Sequence, residues 1–168
     1  MTENELIVST MIIKILKDEF RTLQSCWSKL FQLVSRLRTL KIIIAEEKAL
    51  PIEKKPSVPT HRSFYTMCEI VQDSELEELY KQERYLTTEG ESVDFLRALL
   101  SCSKIETVDP LRPSLYSYEK ALALINSKAQ SYPNLALPLF VTFMGEYLLN
   151  KIVSWTESIK MIEQALAV

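Results

Sequence analysis

Three observations predict an all-α fold for this sequence, an elongated helical bundle of about five helices with long first and last helices. The chain holds only two glycines, Gly90 and Gly145, among 168 residues. That is too few for the turns of a β-sandwich or the phosphate loops of a doubly wound sheet. Apolar residues recur at helical rather than alternating spacing. Thr-x-x-Glu and Ser-x-x-Glu signatures open several of the periodic segments.

The first helix is expected from about Glu3 to about Lys48, with Thr2 and Glu5 as its capping box. Leu6, Ile13, Phe20, Trp27 and Val34 share one heptad position, and Leu16, Leu23, Leu30, Leu37 and Ile44 share a second; Ser9 and Lys41 are the breaks. Such a seam suits a coiled coil or a long bundle helix. Ile12, Cys26, Leu33 and Leu40 widen the stripe, which points to burial against more than one neighbour. Pro51 disfavours helical geometry in Leu50 and ends the element.

Pro51, Pro56 and Pro59 mark residues 51–62 as an extended linker. A second helical region follows from Ser63 to Leu86, with a capping box at Ser74 and Glu77 that suggests a break near Asp73. A third box, Thr88 with Glu91, opens a short helix to about Cys102 with Val93, Phe95, Leu96, Leu99 and Leu100 inward. Asp109-Pro110 and Pro113-Ser114 signal a turn and a new start, and Tyr118, Leu122 and Ile125 face inward on a helix ending near Ser131. Pro133-Asn134 restarts the chain for a final helix almost to Ala167, with Leu137, Val141, Met144, Leu148, Ile152, Trp155, Ile159, Ile162 and Leu166 as its stripe. The expected organisation is one helical domain over residues 1–168: a long amphipathic helix over 1–50, the linker over 51–62 and a bundle over 63–168.

A hydrophobic fraction of 47% and a charged fraction of 25% are those of a globular chain. The longest uncharged run, Ala129 to Gly145, is too short and too polar to span a bilayer. The N-terminus is acidic where a signal peptide is basic. Cys26, Cys68 and Cys102 form no CxxC pair and are odd in number. A cytoplasmic or nuclear location, in a reducing compartment, is the resulting expectation.

Charge is segregated. The first helix carries Lys14, Lys17, Arg21, Lys29, Arg36, Arg38 and Lys41 against Asp18 and Glu19. Between Glu69 and Asp94 the acidic residues dominate, with only Lys81 and Arg84 opposing them. These faces are solvated, complement each other within the fold, or steer a partner of opposite charge. A net charge of −2 gives no reason to expect nucleic acid, and Phe31 is the sole aromatic candidate for the surface of the basic helix. Phe20, Trp27 and Val34 are also spaced like the anchors of a helix-in-groove target, a spacing that the core seam already explains.

Little chemistry is encoded. His61, the one histidine, lies in the linker, and Cys68, the nearest thiol, belongs to an apolar face. No His/Cys/Asp cluster has metal-ligand spacing, no Glu-x-x-His occurs, and the glycine-rich phosphate loops are absent. No cofactor and no metal are therefore expected. Arg21 and Arg38 on a long first helix are faintly similar to the helical chorismate mutases, which stabilise an anionic transition state with such groups. No downstream Arg-Glu pair completes that pattern.

Near the C-terminus, Trp155-x-x-Ser158-Ile159-x-x-Ile162-x-x-Ala165-Leu166 resembles the second helix of a tetratricopeptide repeat, and Tyr118-Glu119-Lys120-Ala121-Leu122 echoes the same helix end. Gly145 falls one residue off that register. The two fragments lack the family's spacing of about 34 residues, and there is no third repeat. The resemblance implies a peptide-binding groove or a chaperone adaptor.

The sequence thus points to a non-catalytic protein-interaction subunit or adaptor of a larger intracellular complex. Phe20, Leu23, Trp27, Leu30, Val34 and Leu37, with Arg21, Arg36 and Arg38, are the expected interface. A helix of this length would span about 65–70 Å, while a compact domain of this size has a radius of gyration of about 15 Å. Homodimerisation through residues 3–48 is the specific expectation. A small helical enzyme with an Arg/Lys pocket, and nucleic-acid binding through the basic helix, are the alternatives.

Overall fold

The computed structural model describes residues 4, 8, 11, 19–49, 72–109, 112–128, 130–132, 141, 145 and 163. Among the described residues every regular element is helical. The α-helices are α1 (Trp27–Ala49), α2 (Asp73–Tyr80), α3 (Glu89–Thr107) and α4 (Tyr116–Lys128), with 3-10 turns at Gln24–Cys26 and Lys81–Tyr85. The all-α class is as the sequence predicts. The expected linker and the expected final helix lie outside the described residues, apart from Val141, Gly145 and Glu163.

The continuous helix expected over residues 3–48 is interrupted. Residues 20–23 form a turn, the 3-10 turn Gln24–Cys26 follows, and the α-helix starts at Trp27. Local polar competition accounts for the break. The Thr22 hydroxyl donates to the Glu19 carbonyl at 2.7 Å, and the Gln24 amide donates to Asp94 Oδ2 at 2.6 Å. Short hydroxyl side chains compete with the helical ladder in this way. Beyond Trp27 the chain holds neither glycine nor proline until Pro51, and Lys48 sits in the last turn of α1, where the helix dipole favours a cation.

The chain divides into two compact units, residues 1–23 with 33–82, and residues 24–32 with 83–168. In the first unit Phe20, Val34, Leu37, Ile44, Leu76, Leu79 and Tyr80 are buried. The start of α2 departs from the expected box at Ser74 and Glu77. Gln72 is the N-cap, and its backbone N–H donates to Glu75 Oε2 at 3.0 Å. The reciprocal bond from the third helical position thus comes from Glu75, two residues before Glu77.

In the second unit α3 and α4 pack together, and the buried residues include Trp27, Leu30, Phe31, Phe95, Leu96, Leu99, Tyr118, Ala121, Leu124 and Ile125. The expected capping box of α3 is present: Glu91 N–H donates to Thr88 Oγ1 at 3.2 Å and Thr88 N–H to Glu91 Oε2 at 3.1 Å. The helix runs on to Thr107, past the expected end near Cys102. Near its end Ser103, Glu106 and Thr107 are polar yet buried; Glu106 and Thr107 find partners inside the fold, and the Ser103 hydroxyl has none. At the other end of the α3–α4 pair, Lys128 Nζ donates to the Leu86 carbonyl at 3.1 Å and the Tyr132 hydroxyl to the Thr87 carbonyl at 3.3 Å.

Candidate functional site

The residues expected as an interface separate into two groups. Phe20, Trp27, Leu30, Val34 and Leu37 are buried within the chain itself, and Leu23 is half-buried. In the second unit Phe95 of α3 receives both aromatics of α1. Its ring lies 5.3 Å from Trp27 at 71° and 5.1 Å from Phe31 at 74°, edge to face in each case. Such pairs contribute about 0.5–1.5 kcal/mol beyond the area they bury. Phe31, expected on the surface, is 0% exposed, and Cys26, expected on the flank of the stripe, is exposed instead. The Phe31 burial follows from the width of the stripe, which Phe95 fills from α3. Arg21 and Arg36 are exposed and Arg38 is half-buried. On α1 the seam residues Trp27, Leu30, Val34, Leu37 and Ile44 are core, and the surface left is the rest of the helix.

Within each unit basic and acidic segments meet at specific places. In the first unit Lys41, a break in the heptad seam, pairs with Asp73 at 2.7 Å. Asp73 opens α2, where a carboxylate also complements the helix dipole. In the second unit Glu83 is held above its ordinary carboxyl range by burial, opposed by the nearby Lys128 and Lys120 ammonium groups. Burial likewise raises the Tyr118 phenol, which stays protonated.

The most developed polar constellation joins the C-terminal end of α3 to the N-terminal end of α4. Glu106 is buried, and its Oε2 accepts the Ser117 backbone N–H at 2.8 Å. Its Oε1 accepts the Ser117 hydroxyl at 2.9 Å and the Cys102 thiol at 3.7 Å. The Glu106 carbonyl accepts the Ser114 N–H at 3.0 Å. An unsatisfied N–H in the first turn of α4 is thereby capped by a carboxylate from the preceding helix. Both carboxylate oxygens are occupied by donors of the fold, so the group is built as an acceptor rather than as a base open to a substrate.

Sequence reasoning missed this node. The available signal was an acidic side chain near the C-terminal end of a helix, where the dipole disfavours it. The node's cysteine, Cys102, is a buried thiol, and Cys26 is an exposed one. Among the described residues no group of three or more His, Cys, Asp and Glu side chains is placed to hold a metal ion, and no helix is long and apolar enough to cross a membrane. His61, Cys68 and most of the repeat-like C-terminal segment lie outside the described residues. Tyr118, Ala121 and Leu122, the upstream echo of that resemblance, are buried on α4. Compared with family models, curated proteins and solved structures, the chain matches none of them.

Proposed function

We propose that the chain is a non-catalytic protein-interaction subunit or adaptor of a larger intracellular complex, binding through helical surfaces. The observation that carries this reading is the outer side of α1. With Phe20, Trp27, Leu30, Val34, Leu37 and Ile44 of the predicted seam buried, the surface left on α1 still presents Arg36 and the large apolar Ile42, which is 45% exposed. Ile42 shares its side of α1 with the exposed Ala45 and Ala49, and a contiguous apolar strip of this kind is what a partner covers. The Glu106 node supports the same reading, because its carboxylate and the Ser117 hydroxyl hold two helices together and the Cys102 thiol donates to the same carboxylate. Exposed Arg21 and Arg36 weigh against an arginine pocket for an anionic substrate. A buried Phe31 removes the aromatic platform that a single-stranded nucleic acid would need.

Site-specific photo-cross-linking tests the proposal. With the cross-linker in place of Arg36, a discrete adduct with another protein is expected, and Ile42→Asp should reduce its yield. Absence of any protein adduct from exposed positions along α1, or an adduct only with nucleic acid, would overturn it.

A further inference from the structure

The first unit keeps its unspent charge at two cations. Among its described residues every carboxylate takes part in a hydrogen bond, an ion pair or an electrostatic interaction, while Arg36 of α1 and Lys81 after α2 take part in none. Both cations are exposed. The charge that this unit offers a partner is therefore positive, although the chain as a whole carries a net −2.

Arg36 also stands on a partly apolar helix face. Leu33, Arg36, Leu40 and Ile43 follow one another at alternating spacings of three and four residues, and at about 3.6 residues per turn they share one side of α1. Leu33, Leu40 and Ile43 are half-buried, so each keeps some apolar surface open beside the exposed guanidinium. The face runs alongside the buried Leu37 and Ile44 and carries the apolar stripe outward from the core.

Alternating spacings of three and four are those by which one helix packs along another. A polar residue at a single seam position fixes the register and selects the partner; on this face that residue is Arg36. We propose that the partner contributes an acidic amphipathic helix that lies along α1 over Leu33, Arg36, Leu40 and Ile43, with a carboxylate in its own apolar stripe paired to Arg36. A guanidinium suits the position, because its planar fork meets both oxygens of a carboxylate and it is more weakly hydrated than a lysine ammonium. From Leu33 to Ile43 the face is about 15 Å long, which a partner helix of about three turns covers. A second copy of α1 in parallel register would set Arg36 against Arg36, and like charges at close range repel. A nucleic acid would meet one guanidinium among aliphatic side chains, with Phe31 buried and no ring on this face to stack on. The inference rests on the protein-binding reading above and names the chemistry of the partner.

Fluorescence anisotropy of a labelled designed peptide with the full chain tests it. The probe is an amphipathic helix of about four turns, with leucines at spacings of three and four, one glutamate among them and glutamine on the remaining surface. Two further versions carry glutamine or lysine in place of the glutamate. The glutamate peptide is expected to bind about tenfold more tightly than the glutamine peptide at low salt, and the difference should shrink as salt is added. Arg36→Glu should reverse the preference in favour of the lysine peptide, and Lys81→Glu, outside α1, should leave it unchanged. If circular dichroism shows that Arg36→Glu has lost helix, Arg36→Gln takes its place and should abolish the preference. Equal binding of the three peptides, no binding of the glutamate peptide, or an equal response to Arg36→Glu and Lys81→Glu would overturn the proposal. Tighter binding of an oligothymidylate that Arg36→Glu abolishes would overturn it in favour of nucleic acid. A protein adduct from position 36 together with indifference to the charge of the peptide would overturn the acidic partner and leave the binding role standing.

Discussion

Glu106 and Ser117 are joined twice, by backbone N–H to Oε2 at 2.8 Å and by hydroxyl to Oε1 at 2.9 Å. Two separate acceptor oxygens are needed at once, and only a carboxylate supplies them. Glu106→Gln offers one oxygen and an amide that can only donate, so one Ser117 donor is left unmet inside the fold. The expected cost is about 1–3 kcal/mol, read as a lower midpoint in urea denaturation. Glu106→Ala should cost at least as much, and a double-mutant cycle with Ser117→Ala should show strong coupling between the two sites.

One turn earlier on α3, Ser103 is fully buried and its hydroxyl has no hydrogen-bond partner. A buried hydroxyl without a partner carries a desolvation cost with no return. Ser103→Ala is therefore expected to be neutral or stabilising, the reverse of the usual outcome for a core substitution. Thermal unfolding of the two chains side by side decides it.

Phe95 is the side chain on which the second unit's aromatic packing depends, since both Trp27 and Phe31 meet its ring edge to face. Phe95→Ala removes both contacts and leaves a cavity beside two rings, at an expected cost of about 3–5 kcal/mol. Phe95→Leu should recover part of that loss. A change in tryptophan emission in the native state would report the altered surroundings of Trp27.

Glu83 supplies a pH dependence whose sign is fixed by its environment. Its carboxyl is raised above the ordinary 4.5 by burial, which outweighs the attraction of Lys128 and Lys120. Between the unfolded and the folded titration points the native state binds more protons than the unfolded one, so stability falls as pH rises through that window. Glu83→Gln should be more stable than the parent at neutral pH, and the difference should close as pH falls towards 4.5. Chemical denaturation at several pH values measures this directly.

Much of the helical skeleton was legible from residue patterns. The box of Thr88 and Glu91 and the inward Phe95, Leu96, Leu99 and Leu100 could be read because capping and amphipathic spacing are encoded over a few neighbouring residues. The break at residues 20–26 was hidden, because the heptad seam passes through it without losing register. The end of α3 was also hidden. Cys102, Ser103, Glu106 and Thr107 look like a polar exit from a helix until Ser117, distant in sequence, arrives to satisfy the carboxylate.

Ile42 illustrates the same division, since in the sequence it is overshadowed by the stronger seam of Phe20, Trp27, Leu30, Val34 and Leu37. The sequence by itself determined that Trp27, Leu30, Val34 and Leu37 lie on a helix and that the seam is apolar, since spacing and propensity are local properties of the chain. Only the tertiary structure decided that the seam is interior, that Phe31 belongs to it and that Ile42 stays outside. Burial is a property of what packs against a side chain, and those neighbours, such as Phe95 against Trp27, are brought together by the fold rather than by position along the chain.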